Sequence, residues 1–417
     1  MITTINNKHK KLNVPNLRFP EFQGEWEKCK LGDYGKVVTG NTPPTNDIEN
    51  YENGTYLWAS PADLGTIKSI TETKTMLSAQ GFSKTRTLPK GSVLVTCIGS
   101  TIGKAGMATK EMSTNQQINS IVVNENNDNE FVYYAIQSAF PRYLSSIAVQ
   151  AVPIISKSAF EMLPNKRPCL QEQKKIGKFL SLLDERIATQ NKIIEDLKKL
   201  KVAIIEKMFC SPNQEQPMCR IKGFKQPLTT YKLGSFCSRI VTKNKDAKCS
   251  LVLTIAAQYG LVNQESFFNK SVASENLTGY YLLQKGEFAY NRSYSMGYDW
   301  GAVKRLDNYD KGVLSTLYIC FKINETIVDS DYLAYYFESS KWHRGLSNIA
   351  GEGARNHGLL NVSVTDYFNT QHRFPPIEEQ KTIAKMLNSI TEKESEAVKL
   401  GECYQKQKQY LLRKMFI

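Results

Sequence analysis

Two stretches of this chain carry residues able to handle a phosphate or a methyl group, and each lacks something essential. Gly99-Ser-Thr-Ile-Gly103-Lys104-Ala105 resembles a phosphate-binding P-loop. Three residues instead of four separate its glycines, and Ala105 stands where a hydroxyl would hold magnesium. It reads as a tight turn that presents Lys104 outward, with backbone amides suited to a nucleic-acid phosphate. Asn41-Thr42-Pro43-Pro44-Thr45 has the composition of an amine-methylating Asn-Pro-Pro-aromatic loop. The order is wrong, the aromatic is missing and no Gly-x-Gly cofactor loop accompanies it, so it reads as a turn. His9, His343, His357 and His372 have no metal-ligand spacing. No Ser/His/Asp grouping and no carboxylate pair stands out. The sequence offers neither a catalytic centre nor a metal site.

A different chemistry is better represented. Three polar, glycine-rich loops carry the forked donors and acceptors that read base edges: AAQYGLVNQESFF (256–268), YNRSYSMGYDWGAVKR (290–305) and GEGARNHGLL (351–360). Their charged candidates are Arg292, Lys304, Arg305 and Arg355. Gln258, Asn291 and Asn356 suit adenine, and Tyr259 adds an aromatic face. The corresponding candidates in the first half are Asn41, Asn46, Lys84, Arg86, Lys104 and Gln116. The bulk charge points the same way. Net charge is +14 over 417 residues. It is shared evenly, since residues 1–210 and 211–417 each hold 27 Lys+Arg against 20 Asp+Glu. Diffuse positive charge fits a polyanion such as double-stranded DNA.

The elements that must position these loops come as an internal repeat. Pro168–Phe209 returns as Pro375–Phe416 without a gap, 207 positions downstream. Each copy predicts one long helix, with a Pro at its start. Apolar residues step by four and three along both copies, as in a coiled-coil seam. The first seam is Ile176, Leu180, Leu183, Ile187, Ile194, Leu197, Ile204 and Met208, with Gln190 and Lys201 as exceptions. The second holds Ile383, Leu387, Ile390, Ala397, Tyr404, Leu411 and Met415, and Glu394, Gly401 and Lys408 weaken it. Lys201 and Lys408 share one repeat position, where a polar break sets register. About 39 residues at roughly 1.5 Å each give a rod of about 58 Å.

Upstream of each helix the same landmarks recur in order. Lys30-Leu31-Gly32 answers Lys232-Leu233-Gly234, Lys90-Gly91 answers Lys285-Gly286, and EFVYYAIQSA (130–139) answers DYLAYYFESS (331–340). Between landmarks the halves differ almost completely. Expected strands are 56–59, 92–98, 119–123 and 313–323, with a helix over 130–139. The expected organisation is α+β: a flexible leader (1–16), a first domain (17–166), a helix (167–210), a linker (211–222), a second domain (223–373) and a final helix (374–417). No apolar run approaches a membrane span, the N-terminus lacks a signal-peptide core, and nine scattered cysteines without a C-x-x-C pair suit a reducing cytoplasm. Cys97 and Cys320 lie in apolar runs and are expected in the core.

With these features in place, the chain resembles the specificity (S) subunit of type I restriction-modification systems over nearly its whole length. The most specific part is the pair of P-x-x-E-Q-x-x-I helix starts, Pro168/Glu172/Gln173/Ile176 and Pro375/Glu379/Gln380/Ile383. Cys169 and Gln171 depart mildly from the usual Pro and Glu. The resemblance implies two α/β target-recognition domains separated by an antiparallel coiled coil of the two long helices, about a pseudo-two-fold axis. It implies a non-catalytic chain, each domain reading one half of a bipartite asymmetric site. Two modification subunits with S-adenosylmethionine would methylate adenine, and two restriction subunits would add ATP- and Mg2+-dependent translocation and cleavage; this chain itself would bind no cofactor. The competing readings are a self-contained DNA methyltransferase or endonuclease, which lacks a cofactor loop and catalytic tetrapeptide, and a coiled-coil scaffold, which leaves the charge and divergent loops unexplained.

Overall fold

The computed structural model describes residues 3–4, 13–65, 67–146, 153–245, 248–269, 276–295, 297–350 and 360–417. The chain divides into two compact units. Unit 1 is Met1–Lys192 with Val398–Ile417, and unit 2 is Ile193–Ala397.

The two units are built on one frame. In unit 1 a sheet runs in the order Gly35–Thr39, Ile118–Val123, Val93–Thr96, Ala105–Ala108 and Ser69–Ile70. All neighbours are antiparallel except the last pair. In unit 2 the order is Cys237–Arg239, Ile319–Ile323, Phe288–Asn291 and Ala302–Arg305, antiparallel throughout. The Lys-Gly landmarks are the turns that enter the central strands. Gly91 (φ +84°) and Gly286 (φ +87°) sit in left-handed backbone that a glycine takes without penalty. Beside each frame lies a short antiparallel ladder, Glu27–Lys30 with Pro164–Arg167 and Thr229–Lys232 with Gln371–Phe374. The inserts differ. Unit 1 adds a small sheet of Tyr56–Ala59, Thr75–Leu77 and Ser113–Thr114. Unit 2 adds a hairpin, Leu253–Ala256 with Gly260–Asn263, and a ladder of Tyr281–Gln284 with Lys311–Leu314. Val313–Ile323, expected as one strand, is two: Lys311–Leu314 and Ile319–Ile323, split by a turn in which Tyr318 N–H bonds Ser315 O. Ser315 and Thr316 are the polar break at that turn, too short to separate two strands by pattern alone.

A helix backs each sheet, Asn129–Ser146 in unit 1 and Ser330–Tyr336 in unit 2. Its apolar face meets the long helices. Leu170–Met208 and Ile377–Met415 are each one helix of 39 residues. In unit 1, Ile176, Leu180, Leu183 and Ile187 share a core with Phe131, Tyr134, Leu411, Met415 and Phe416. In unit 2, Ile205 and Phe209 share a core with Tyr332, Tyr336, Ile383, Ala384 and Leu387. The start of one helix and the end of the other thus serve the same core in each unit. Every seam position is buried or half-buried; Ile194, Leu197, Ile204, Met208 and Ile390 belong to the half-buried class. Cys97 and Cys320 are buried, and all nine cysteines are free. Residues 1, 2 and 5–12 of the expected leader lie outside the described residues.

Candidate nucleic-acid interface

The P-x-x-E-Q motif turns out to grip the domain that precedes it. Glu172 is buried and takes both Nε (2.8 Å) and Nη2 (2.7 Å) of Arg18, with Trp26 Nε1 at 3.3 Å. Glu379 takes Arg220 the same way, at 2.8 and 2.6 Å. The neighbouring glutamines hold the backing helices. Gln173 Oε1 accepts from Asp128 N–H, and its amide donates to Pro168 O and to Asn127 Oδ1. Gln380 Oε1 accepts from Asp329 N–H, and its amide donates to Pro375 O and Ile327 O. Asp128 and Asp329 in turn cap their helices by accepting from Phe131 and Tyr332 N–H. Arg220 falls in the expected linker 211–222. A polar, Pro-containing composition reads as a linker, yet this arginine holds a buried carboxylate 159 residues away.

A second junction lies further along the long helices. In unit 1 Tyr134 O–H donates to Asp184 (2.5 Å), and Lys408 Nζ lies 2.6 Å from Asp184 and 5.6 Å from the Tyr134 ring centre. Burial, then the Asp184 charge, pushes the Tyr134 pKa up. Lys68 donates to Glu130 and Ser181, both at 2.7 Å. In unit 2 Tyr335 O–H bonds Asn388 and Thr391, Asn388 donates to Asp331, and Lys201 Nζ lies 5.5 Å from the Tyr335 ring centre and 3.9 Å from Glu338.

The unit 1 candidates gather where Gly35–Thr39 ends. Asn41 donates to Lys84 O (2.9 Å) and accepts from Arg86 N–H (2.9 Å), and Arg86 Nη1 reaches Thr39 O at 2.9 Å. Lys84 is tied to Asp47 and Asn50, both at 2.8 Å, and its hydrogen bond holds the Asp47 carboxyl below its usual range. Thr42 O–H donates to the exposed Gln116 side chain. Asn46 is exposed in the same loop. Asn41, Asn46, Lys84, Arg86 and Gln116 therefore make one polar patch on three stapled loops. Lys104 is exposed in the separate glycine turn, its stem over Gly65.

Unit 2 brings its candidates together less well. Gln258 and Tyr259 stand exposed at the hairpin tip, where Tyr259 N–H bonds Ala256 O and Gly260 (φ +87°) closes the loop. Arg292, expected as a base reader, is turned to the fold: Nη1 and Nη2 donate to Val362 O and Leu317 O, at 3.0 and 3.1 Å. Arg305 is held by Asp307, Asp331 and Ser330, and the half-buried Lys304 faces Glu338 at 3.7 Å and the Tyr298 ring. Arg292 and Arg305 thus give several donors to the fold's own carbonyls and carboxylates, as Lys84 and Arg86 do in unit 1. Asn291 accepts from Ser293 N–H within its own turn. Arg355 and Asn356 lie outside the described residues. Among the described residues no group of His, Cys, Asp and Glu is arranged to hold a metal. No described helix is long and apolar enough to cross a membrane.

Residues 23–199 match the family described as the type I restriction modification DNA specificity domain. Along 416 aligned positions the chain is 25% identical to the type I restriction enzyme MjaVIII specificity subunit of Methanocaldococcus jannaschii, spanning 90% of this chain and 87% of that one. The first half of the chain is thus similar to the DNA specificity domain of type I restriction-modification systems, and the whole chain to one full-length specificity subunit. A second relative from the same organism, the MjaIX specificity subunit, is 28% identical over 191 residues, a match spanning 44% of each chain and so less than half of that relative. A crystal structure of an S subunit from M. genitalium shares the α+β fold at a TM-score of 0.57, covering 97% of this chain and 99% of that one, with 16% identity. In this chain the P-x-x-E-Q helix start is an anchor for the unit that carries the candidate loops.

Sequence reasoning missed Arg18, Arg220 and Lys68 as anchors, and did not single out Phe267, Phe268 and Tyr294, exposed aromatics within the candidate loops. A signal for the first two existed. Arg18 and Phe22 precede Arg220 and Phe224 by 202 positions, the offset that also relates Lys30-Leu31-Gly32 to Lys232-Leu233-Gly234.

Proposed function

We propose that this chain is a specificity subunit that reads a bipartite, asymmetric site on double-stranded DNA, one half with each unit, and directs adenine methylation or cleavage by partner subunits. The observation that carries the reading is one frame used twice with different inserts: matching antiparallel strands, turns and anchors, unequal loops. Two related readers facing a duplex match two half-sites, and unequal loops make those half-sites different. The target-recognition domains span 17–166 and 223–373, joined through 211–222. The long helices, 167–210 and 374–417, act as an antiparallel coiled-coil spacer. At about 58 Å against a DNA rise of about 3.4 Å per base pair, it limits the gap between half-sites to a narrow range. Chemistry comes from two modification subunits carrying S-adenosylmethionine and two restriction subunits using ATP and Mg2+. This chain contributes no cofactor and works in the cytoplasm, where the DNA is.

Mapping methylated adenines in a host that carries this chain tests the reading. One bipartite motif is expected, and exchanging residues 1–165 for those of another family member should change one half of it only. A change in both halves, or in neither, would sink the assignment.

A further inference from the structure

Each seam is interrupted by one lysine at the same repeat position, where a leucine would stabilise the helix pair more. Both lysines are mostly buried, with side-chain exposures of 17% for Lys408 and 19% for Lys201. Both lie against a tyrosine of the backing helix, Tyr134 or Tyr335. The layout around them repeats while its chemistry changes. Ser181 and Asp184 on one long helix correspond to Asn388 and Thr391 on the other, 207 positions on. Glu130 and Tyr134 correspond to Asp331 and Tyr335, 201 positions on. The domain-side cation is Lys68 on Glu130 in unit 1 and Arg305 on Asp331 in unit 2.

Each unit is thus held on the helices at two levels. The carboxylate–arginine clamp grips at the helix start, and the lysine junction grips further along. Glu172 and Asp184 are 12 residues apart, about 18 Å along a helix. Two grips that far apart fix an angle as well as a position, whereas one grip leaves a pivot. A turn of about 10° moves a loop about 20 Å away, the reach of a domain this size, by roughly 3.5 Å. That is about one base pair of DNA.

We propose that Lys408 and Lys201 are positioning residues that set the angle at which each reading unit is held on the helix pair, and with it the spacer length the subunit accepts. The inference rests on the proposed reading of a bipartite site and adds the residues that tune it. The full chain with its modification partner is assayed for adenine methylation on two series of duplexes. One keeps both half-sites and changes the spacer by one base pair either way. The other keeps the spacer and scrambles one half-site. If the wild-type complex shows no preference in either series, the DNA reading itself fails. Given that preference, Lys408→Met is expected to lower discrimination against the wrong spacers at least about tenfold, as loss of ångström-scale positioning does, while half-site discrimination stays. Lys408→Arg keeps a cation over Tyr134 and restores spacer discrimination. Lys201→Met acts in the same way through unit 2. Should Lys408→Met not fold, Tyr134→Phe removes the bond to Asp184 and keeps the ring, with the same expected loss. A folded variant that keeps spacer discrimination, or one that loses both discriminations in step, overturns the inference.

Discussion

Replacing Arg18 by methionine strands a carboxylate that unit 1 has taken out of water. Glu172 is 1% exposed. Without the guanidinium its one remaining side-chain donor among the described residues is Trp26 Nε1 at 3.3 Å. Breaking a buried ion pair from one side costs about 3–5 kcal/mol. For a unit of this size that lowers the melting temperature by roughly 6–20 °C. Arg18→Met with Glu172→Met removes both charges, and an apolar pair in that space is close to neutral. The double variant still lacks the bonds from Arg18 to Gly24 O (2.6 Å) and Gln23 O (3.3 Å), at about 1 kcal/mol each. It should therefore recover roughly a third to three fifths of the loss. Calorimetry gives the shifts, and amide exchange places them. Exchange should rise in Asn129–Ser146, which Gln173 and the clamp hold, and stay unchanged in Ser330–Tyr336. A single variant that melts within about 2 °C of wild type, or a double variant no better than the single, would refute the argument.

Three further outcomes follow from local geometry. His372 is buried between Tyr336 O–H at Nδ1 (3.0 Å) and Thr370 Oγ1 at Nε2 (2.9 Å), and burial pushes its pKa down to about 3. It stays neutral in the fold, whereas the unfolded chain takes up a proton below about pH 6.5. Its contribution to stability is whole above that pH and falls as pH drops toward 3, by about 2 kcal/mol at pH 5; urea titrations of wild type and His372→Gln at pH 7 and pH 5 should show that slope only in wild type. Gly103 has φ +89°, and a Cβ there would lie 2.5 Å from the Phe140 ring, while Gly99 at φ +90° faces open space. Gly103→Ala should lower the denaturation midpoint by more than Gly99→Ala, whose cost is backbone strain of about 1–2 kcal/mol. Tyr259→Ala, at a residue 68% exposed, should move stability by no more than about 0.5 kcal/mol yet weaken DNA binding, and an unchanged Kd would remove the hairpin tip from the interface.

The frame was legible in the sequence because its signals are local. The Lys-Gly turns need left-handed backbone at Gly91 and Gly286. The four-three seam foretold which faces of the long helices are shielded. The backing helix announced itself through Phe131, Tyr134, Ala135 and Ile136, all buried. What stayed hidden depends on partners far along the chain. Arg292 and Arg305 look like readers because arginine in a polar loop suits a base edge, and nothing local reveals Val362 O or Asp331. Arg18 stands near the start of the expected first domain, and nothing beside it points to a carboxylate 154 residues away. Type and loop position identify a patch such as Asn41, Lys84 and Arg86. They do not tell an arginine that reads from one that holds.

The composition of unit 1 has a consequence for how the chain is made. Unit 2 is one continuous segment, but the core of unit 1 includes Leu411, Met415 and Phe416 from the end of the chain. At about 5–20 residues per second, some 10–45 s of synthesis separate Lys192 from those three side chains. Throughout that time the site that Phe416 fills, between Trp26 and Phe131, has no occupant of its own. The first domain to leave the ribosome is the last to close. A nascent chain arrested before Leu411 should leave unit 1 open to protease while unit 2 resists it.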